Sequence, residues 1–360
     1  MVRKRESRLR AREWVEVRSK EDILRTLDRR GELDSLPFMP EMFQYCGRRF
    51  RVFKRAHKTC DPPNGIGARK MANAVHLIGL RCDGAAHGGC QAGCLIFWKE
   101  AWLKRVDDDQ QCFDGGLLPS DANDPGETDA CTEEDVLSAA APAGKPDSVD
   151  PTYVCQSIRL CHATQPLRWW DLGQYIEDFT SGNVHLPQML AAFLFFLYHE
   201  LAASGLGIGA ALRWLYDQFQ RGRGGTPYPW RRGKIPQGQP TPAATLGPEE
   251  GELVRVKSYR EILETVDDER WRNRGLYFDA EAVPYCSGTF RVLRRVQRIL
   301  DEKTGKLIQF KSDALILDQV WCQARYSRCR RFCPRSIYPY WRDIWLERIC
   351  EPRSDSAEKC

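Results

Sequence analysis

The cysteines are the residues whose number and spacing point to chemistry. The chain has fifteen of them, and an odd number fits poorly with a fully paired disulfide framework. Eight cysteines form two sets with almost the same spacing, C-x35-C-x7-C-x3-C and C-x35-C-x6-C-x3-C. The sets are Cys46, Cys82, Cys90 and Cys94, and then Cys286, Cys322, Cys329 and Cys333. Four thiolates can hold one metal ion tetrahedrally, so the spacing predicts one metal site for each set.

Zinc is the metal that these predicted sites suit best. A four-cysteine zinc site needs two pairs brought together across a fold, with a short loop supplying the later ligands. In the first set, Gly88, Gly89 and Gly93 give that loop the backbone freedom to surround an ion. The second set has no glycines there, so the two sites are expected to differ in exposure or occupancy. An iron–sulfur cluster is an alternative cofactor, and buried free thiols or reversible thiol redox chemistry stay open as well.

Three further polar residues occur only around the first set: His57, Cys60 and His87. Such side chains near a metal site could bind a second ion or leave a coordination position open for a reaction. If the protein is an enzyme, they are its candidate catalytic groups; the alternative is that they are ordinary polar residues of a surface loop. Cys155 and Cys161 have no second cysteine pair near them and are expected to be buried thiols.

A cluster of arginines surrounds the second set and could bind phosphate groups or an acidic partner surface. Its members are Arg325, Arg328, Arg330, Arg331 and Arg335, with Tyr326 and Phe332 between them. The net charge of +5 conceals a strongly acidic stretch, because Asp107 to Asp150 contains thirteen Asp or Glu residues and one lysine. The arginine cluster could equally be a solvated face or the docking site for that acidic stretch.

The two cysteine sets belong to an internal duplication. VEVRSKEDILRTLD, which begins at Val15, aligns with VRVKSYREILETVD, which begins at Val254. Cys46 and Cys82 align with Cys286 and Cys322 at an offset of 240, and Trp98 and Trp102 align with Trp341 and Trp345 at 243. A chance match would not keep register over about ninety residues.

Each copy is expected to be a small, barrel-like β unit with a helix at its end, so that the fold class is α+β. In the second copy, GELVRVKS predicts a strand and Tyr259–Val266 a brief helix. FRVLRRV and LIQFKSDALILDQVWC predict a hairpin that turns at Gly305. Trp341, Trp345 and Ile349 at i, i+4 and i+8 predict the terminal helix.

A helical middle unit is predicted to separate the copies. From Met189 to Leu212 the only ionisable residues are His199 and Glu200, which is long enough for a membrane-spanning segment. Glu200 would be costly in lipid and Ser204–Gly207 breaks the run, so a buried helical hairpin is favoured over membrane insertion or docking. The expected segments are a basic arm (1–14), copy one (15–106), an acidic disordered linker (107–150), the helical unit (151–222), a Pro- and Gly-rich linker (223–250), copy two (251–349) and a tail (350–360).

Two resemblances accompany these patterns. The strand GELVRVKS resembles the entry strand of SH3-like and KOW-type small barrels. As a whole, the chain resembles bacterial proteins of unassigned function that have duplicated, cysteine-rich halves ending in tryptophans. The similar stretches are AHGGCQAGCLIFWKEAWLKR and YSRCRRFCPRSIYPYWRDIWLERI. The resemblance implies no activity.

These observations favour a zinc-binding interaction or scaffold protein. The basic first residues lack the apolar run of an export signal, so the expected compartment is the reducing cytoplasm, where clustered cysteines more often hold metal than form disulfides. A protein partner is expected, with membrane contact through residues 189–212 as an alternative. The alternative functions are a metal- or thiol-dependent enzyme with its active site in copy one, and a nucleic-acid-binding protein that uses the arginine cluster. The sequence contains no phosphate-binding glycine loop, serine nucleophile elbow or HExxH pattern.

Overall fold

The chain folds into two compact units. The structure is a computed structural model that describes residues 8–61, 67–106, 131–142, 151–327 and 330–349. Unit 1 consists of residues 1–200, 298–309 and 323–337, and unit 2 of residues 201–297, 310–322 and 338–360. Unit 1 therefore contains two pieces of the copy-two sequence. Both helices and strands are present, so the α+β class is confirmed.

Unit 1 combines small sheets with short helices. Its elements in chain order are β1 (Trp14–Val17), α1 (Lys20–Leu24), β2 (Glu32–Leu33), β3 (Leu36–Pro37), β4 (Arg49–Arg55), β5 (Lys58–Cys60), β6 (Ala68–Lys70), β7 (Ala74–Leu77), β8 (Trp98–Lys99), β9 (Leu103–Arg105), α2 (Glu133–Ala140), α3 (Gln156–Ala163), β10 (Gln165–Leu167), α4 (Leu172–Thr180) and α5 (Leu186–Ala203). Turns of 3₁₀ helix cover Pro40–Tyr45 and Glu100–Trp102.

The main sheet of unit 1 has the strand order β8-β7-β4-β1-β9. Strand β1 pairs antiparallel with both β4 and β9, and its alternate residues Val15 and Val17 are fully buried, as expected for a strand with one face on a core. Trp98 and Trp102 are also fully buried. The Trp102 indole donates to Thr26 Oγ1 at 3.1 Å, which satisfies its polar end. A second, three-stranded sheet has the order β10-β6-β5.

Unit 2 is built on the second copy. Its elements are α6 (Gly209–Arg223), β11 (Leu253–Val256), α7 (Tyr259–Leu263), β12 (Arg272–Asn273), β13 (Leu276–Tyr277), β14 (Thr289–Leu300), β15 (Leu307–Leu317) and β16 (Leu346–Arg348), with the ends of β14 and β15 nearest the connecting turn counted in unit 1. Turns of 3₁₀ helix cover Ala280–Tyr285 and Asp343–Trp345.

The sheet of the second copy has the order β15-β14-β11-β16, with β11 antiparallel to β14 and β16. Trp341 and Trp345 are fully buried, and the Trp345 indole donates to Thr265 Oγ1 at 2.8 Å. The strand at GELVRVKS, the short helix after it and the two hairpin strands are therefore present as predicted. The sheets are small and open, so the structure does not confirm closed barrels.

The terminal helix predicted for each copy is wrong. Trp345 ends a single 3₁₀ turn, and the chain continues as strand β16, which pairs with β11. Likewise, Trp102 ends a 3₁₀ turn before strand β9. Tryptophans four residues apart are also compatible with a 3₁₀ turn that is followed by a strand. In this arrangement the backbone N–H and C=O groups form hydrogen bonds with the neighbouring strand, whereas in a helix they would bond to each other.

The acidic segment 107–150, expected to be disordered, contains helix α2. Thr132 and Asp135 form a reciprocal capping box at its start, which supplies partners for the first backbone amides. Val136 and Ala140 are buried in the core of unit 1. The rest of this segment lies outside the described residues.

The apolar stretch 189–212 forms two helices with the predicted break between them, but α5 is not buried. Leu190, Leu194 and Leu197 are between 54% and 66% exposed, so the expectation of a buried hairpin is wrong for this face. Only 11% of the 18-residue helix is buried, and its length and composition would permit it to cross a bilayer.

His76 in β7 gives the fold a specific dependence on pH. Its Nδ1 lies 2.9 Å from the Ile96 carbonyl, so this nitrogen must carry the hydrogen, and its ring packs on Phe97. Burial lowers the pKa of His76 to about 3. Between pH 6.5 and pH 3, the unfolded chain therefore binds a proton that the folded chain does not, and stability falls as the pH falls.

We expect His76→Phe to remove this dependence. In urea unfolding measured from pH 7 to pH 4, the free energy of unfolding of the wild type should fall more steeply, by up to about 1.4 kcal/mol per pH unit, than that of the variant. Parallel curves for the two proteins would show that His76 does not titrate between the folded and unfolded states.

Candidate metal centre

Three potential metal ligands meet inside unit 1. The Cys82 sulfur lies 3.1 Å from His87 Nε2. A carboxylate oxygen of Glu41, the Cys82 sulfur and a ring nitrogen of His87 all lie within 4.8 Å of one another. The three side chains are half-buried or buried, so sulfur, nitrogen and oxygen donors converge in a place with little water.

The loop that carries Cys82 and His87 closes on itself. The Cys82 amide donates to the Cys94 carbonyl at 2.8 Å, and Arg81 pairs with Leu95, so the two ends of the loop lie side by side. Inside the loop, Gly84 has φ +79° and its backbone passes so close to Cys90 that any side chain there would collide with it. Gly88, Gly89 and Gly93 also have left-handed φ values, a backbone conformation that glycine adopts readily.

A small cavity of about 50 Å³ lies against this loop, and we call it the thiol cavity. Its polar lining consists of Glu41, Cys82, His87, Cys90, Cys94, Cys155, Gln156, Ser157 and Glu302. The Leu300 amide, from the end of β14, donates to the Cys90 sulfur at 3.3 Å. The hairpin of the second copy thus forms part of the wall around cysteines of the first copy. The residues on both sides of this contact belong to unit 1.

Cys155 reaches the thiol cavity because α3 is fixed by one buried amide. The Gln156 side chain accepts from the Phe97 amide at 2.8 Å and donates to the carbonyls of Phe97 and Pro37 at 2.9 and 3.1 Å. These three hydrogen bonds join the first turn of α3 to two segments of copy one. Cys155, the residue before Gln156, is thereby fixed at the cavity.

Burial disfavours the charged forms of five groups that line the thiol cavity. It raises the pKa values of the Cys82, Cys90 and Cys155 thiols and of the Glu41 carboxyl, and it lowers the pKa of His87. Two polar atoms of the cluster, Glu41 Oε2 and His87 Nδ1, are buried without a hydrogen-bond partner in the described part of the chain. Buried polar atoms without partners are rare in folded proteins and require an explanation.

A divalent cation held by the trio would provide a partner for Glu41 Oε2, with His87 binding through Nε2, the ring nitrogen beside Cys82. Zinc bonds of about 2.3 Å to sulfur and 2.0 Å to nitrogen place two tetrahedral ligands about 3.5 Å apart, close to the observed Cys82–His87 separation. Zinc accepts sulfur, nitrogen and oxygen donors, whereas iron–sulfur clusters are held mainly by thiolates. A carboxylate, a thiol and an imidazole together are a donor set that could hold a metal ion.

The eight cysteines that the sequence predicts as metal ligands do not form two clusters of four among the described residues. Cys46 is half-buried and is not among the residues that line the thiol cavity. Cys286 and Cys322 belong to unit 2, whereas Cys333 belongs to unit 1. Cys329 lies outside the described residues. The first set thus brings three of its four cysteines to one cavity, and the second set is divided between the units.

Cys333 instead meets Cys60, which has no counterpart in the other copy. The Cys60 amide lies 3.1 Å from the Cys333 sulfur, and both thiols are buried. The hydrogen bond between the two thiols, together with burial, raises the pKa of Cys60 well above its usual value. Beside this pair, Lys58 Nζ lies 2.6 Å from Asp178, and His57 Nε2 lies 3.3 Å from the same carboxylate. His57 and Cys60 therefore lie in a buried cluster and not in a surface loop.

Much of the predicted arginine cluster is buried. The Arg331 guanidinium lies over the rings of Phe193 and Phe196, at 5.1 and 4.4 Å from their centres. Arg325 is exposed, Arg330 is half-buried, and Arg328 lies outside the described residues.

Arg335 is the most enclosed member of the cluster. It pairs with Glu302 and donates to Ser157 Oγ at 2.8 Å. Burial alone would lower its pKa, but the charge of Glu302 and the sulfurs of Cys60 and Cys94 raise the pKa of Arg335 well above its usual value. Its positive charge therefore lies near both groups of thiols.

Sequence reasoning missed Glu41, Cys155 and Glu302. Glu41 had a detectable signal, because Glu281 takes the same place five residues before Cys286 in the second copy. Cys155 had no such signal in the sequence, because its position at the thiol cavity depends on the hydrogen bonds of the Gln156 side chain. Comparisons of the chain with family models, curated proteins and solved structures found no match.

We expect Arg335→Met to destabilise unit 1. The substitution leaves the Glu302 carboxylate beside the thiol cavity without its cation, and the free energy of unfolding should fall by about 3 kcal/mol. Urea denaturation of the full chain measures the loss. The double variant Arg335→Met/Glu302→Met removes both charges and should recover at least half of it. An equal loss in the single and double variants would contradict the pairing.

Proposed function

We propose that the protein is a cytoplasmic, zinc-binding interaction or scaffold protein whose metal lies in the thiol cavity. The observation that carries the proposal is the convergence of Glu41, Cys82 and His87 within 4.8 Å in a buried place. Glu41 Oε2 is buried without a hydrogen-bond partner among the described residues, and a cation held by this trio would satisfy it.

The fourth ligand in this proposal is Cys90. Its sulfur accepts a hydrogen bond from the Leu300 amide, and such a bond favours the thiolate form that a metal requires. Cys94 and Cys155 are close enough to line the same cavity. When bound, zinc would join the Cys82 loop to the 3₁₀ turn at Pro40–Tyr45, and the copy-two hairpin would contact this site through the Leu300–Cys90 hydrogen bond.

The size of the cavity supports a structural metal. A volume of about 50 Å³ is enough for a metal ion and is well below the range of about 300–1,000 Å³ that is typical of small-molecule sites. The thiol-enzyme alternative finds little support, because Cys60 is buried and its raised pKa keeps the thiol protonated. We therefore propose that the metal stabilises the fold and does not perform a reaction.

The exposed face of α5 supports the interaction role. Leu190, Leu194, Leu197 and Leu201 follow one another at steps of four, three and four residues and are all exposed. This spacing is typical of a helix that packs lengthwise on another helix. A protein partner is therefore proposed, and contact with a membrane surface is the alternative.

We also propose that the two copies descend from one duplicated unit. The constant sequence offset supports this, as do the matched hydrogen bonds Thr26–Trp102 and Thr265–Trp345. The copies have diverged in their cysteines, and the described residues of the second copy supply no comparable trio of ligands.

Zinc content of the full chain tests the proposal. Protein purified under anaerobic conditions should contain zinc, and Cys82→Ser should lose about one equivalent because it removes a direct ligand. Cys46→Ser is the matched control and should keep the full content, since Cys46 does not line the cavity. Inductively coupled plasma mass spectrometry gives the stoichiometry.

Thermal unfolding with and without a chelator separates loss of metal from loss of fold. A ligand that binds only the native state stabilises it, by about 4 kcal/mol at a thousand times its dissociation constant. The chelator should therefore lower the Tm of the wild type and of Cys46→Ser. It should leave the Tm of Cys82→Ser nearly unchanged, because that variant holds no metal to remove. Iron with acid-labile sulfide, or loss of metal from Cys46→Ser alone, would overturn the proposal.

A further inference from the structure

Unit 2 contains a large basic cavity that the proposed metal centre does not use. It has a volume of about 1040 Å³ and lies between α6, the segment after it and α7. Six cationic side chains line it, and we call it the basic cavity: Arg213, Arg221, Arg231, Arg232, Lys234 and Arg260. The only carboxylate in its lining is Asp217. Every residue that lines it belongs to unit 2.

The walls of the basic cavity are fixed by specific hydrogen bonds. Asp217 on α6 accepts from the Tyr228 amide at 2.7 Å and pairs with the Arg231 guanidinium. Tyr259, the first residue of α7, donates its hydroxyl to the Pro229 carbonyl at 2.6 Å and accepts from the Arg231 amide at 3.2 Å. The segment after α6 is thus attached to both helices, so the cavity is a built feature and not a gap beside a loose loop.

The six cationic side chains that line the cavity have only one carboxylate, Asp217, beside them in the lining. Asp217 is committed to Arg231, and Lys234 pairs with Glu264 outside the lining. Within the described ranges, neither Arg213 nor Arg232 forms an ion pair. Cations gathered in one concave place repel one another, and a bound anion would offset that repulsion.

Arginine and the nearby rings indicate which anion would fit. The guanidinium group binds phosphate oxygens through two parallel hydrogen bonds, which a lysine cannot do. Trp230 and Tyr259 also line the cavity, and their rings offer contact to a planar group. The volume of about 1040 Å³ is slightly above the range for small-molecule sites, about 300–1,000 Å³.

We propose that the basic cavity binds a small phosphate-bearing molecule with a planar ring, of the nucleotide class. The arginines hold the phosphates, and the aromatic residues contact the ring. The concave site of finite volume favours such a ligand over a nucleic acid strand, which would be expected to follow an extended groove. The proposal does not depend on metal in the thiol cavity.

Isothermal titration of the full chain with ATP at low ionic strength tests the proposal. We expect binding with a dissociation constant below about 1 mM. The variant Arg213→Gln/Arg232→Gln removes two lining charges and should weaken binding at least about tenfold, because each charge-assisted contact is strong. The matched control Arg270→Gln/Arg272→Gln removes the same charge from exposed positions outside the lining and should change the affinity less than about twofold.

Three further probes identify what the cavity recognises. Pyrophosphate should bind more weakly than ATP and adenosine should not bind measurably, if phosphates give the affinity and the ring adds to it. Failure of ATP to bind, or equal weakening in both double variants, would overturn the proposal. Tighter binding of a single-stranded oligonucleotide than of ATP, lost in Arg213→Gln/Arg232→Gln, would assign the cavity to nucleic acid and also overturn it.

Discussion

The contact between Cys82, His87 and Glu41 is the constraint on which unit 1 depends. It removes a thiol, an imidazole and a carboxyl group from water, and two of their atoms find no hydrogen-bond partner in the described residues. Such burial costs free energy unless another interaction compensates for it. The closed loop between Cys82 and Cys94 and the fixed start of α3 hold these groups together in spite of that cost. A bound zinc ion is the compensation that we propose.

Contacts with other cysteines explain why unit 1 includes parts of the copy-two sequence. The end of β14 donates the Leu300 amide to Cys90, and Arg335 provides a buried positive charge near Cys94 and Cys60. Cys333 completes a thiol pair with Cys60. The cysteines of the first copy are therefore enclosed partly by residues of the second copy. Two zinc-binding units that folded independently would not need such contacts between the copies.

Several parts of this arrangement were predictable from the sequence. The short strand at Leu253–Val256, the hairpin strands and the loop glycines follow from local patterns of alternation and turn residues. Three cysteines of the first set could also be grouped, because their loop is short and closes locally. The distribution of Cys333 was not predictable, since its partner Cys60 is 273 residues away and has no aligned counterpart. Helix prediction failed at Trp345, because tryptophans four residues apart suit a 3₁₀ turn and strand as well as a helix.

Zinc K-edge X-ray absorption of the full chain would identify the proposed ligands, because it reports the atoms around the metal. We expect a mixed shell with sulfur at about 2.3 Å and nitrogen or oxygen at about 2.0–2.1 Å. A shell of four sulfurs would contradict it, because His87 and Glu41 would then have no place in the coordination sphere.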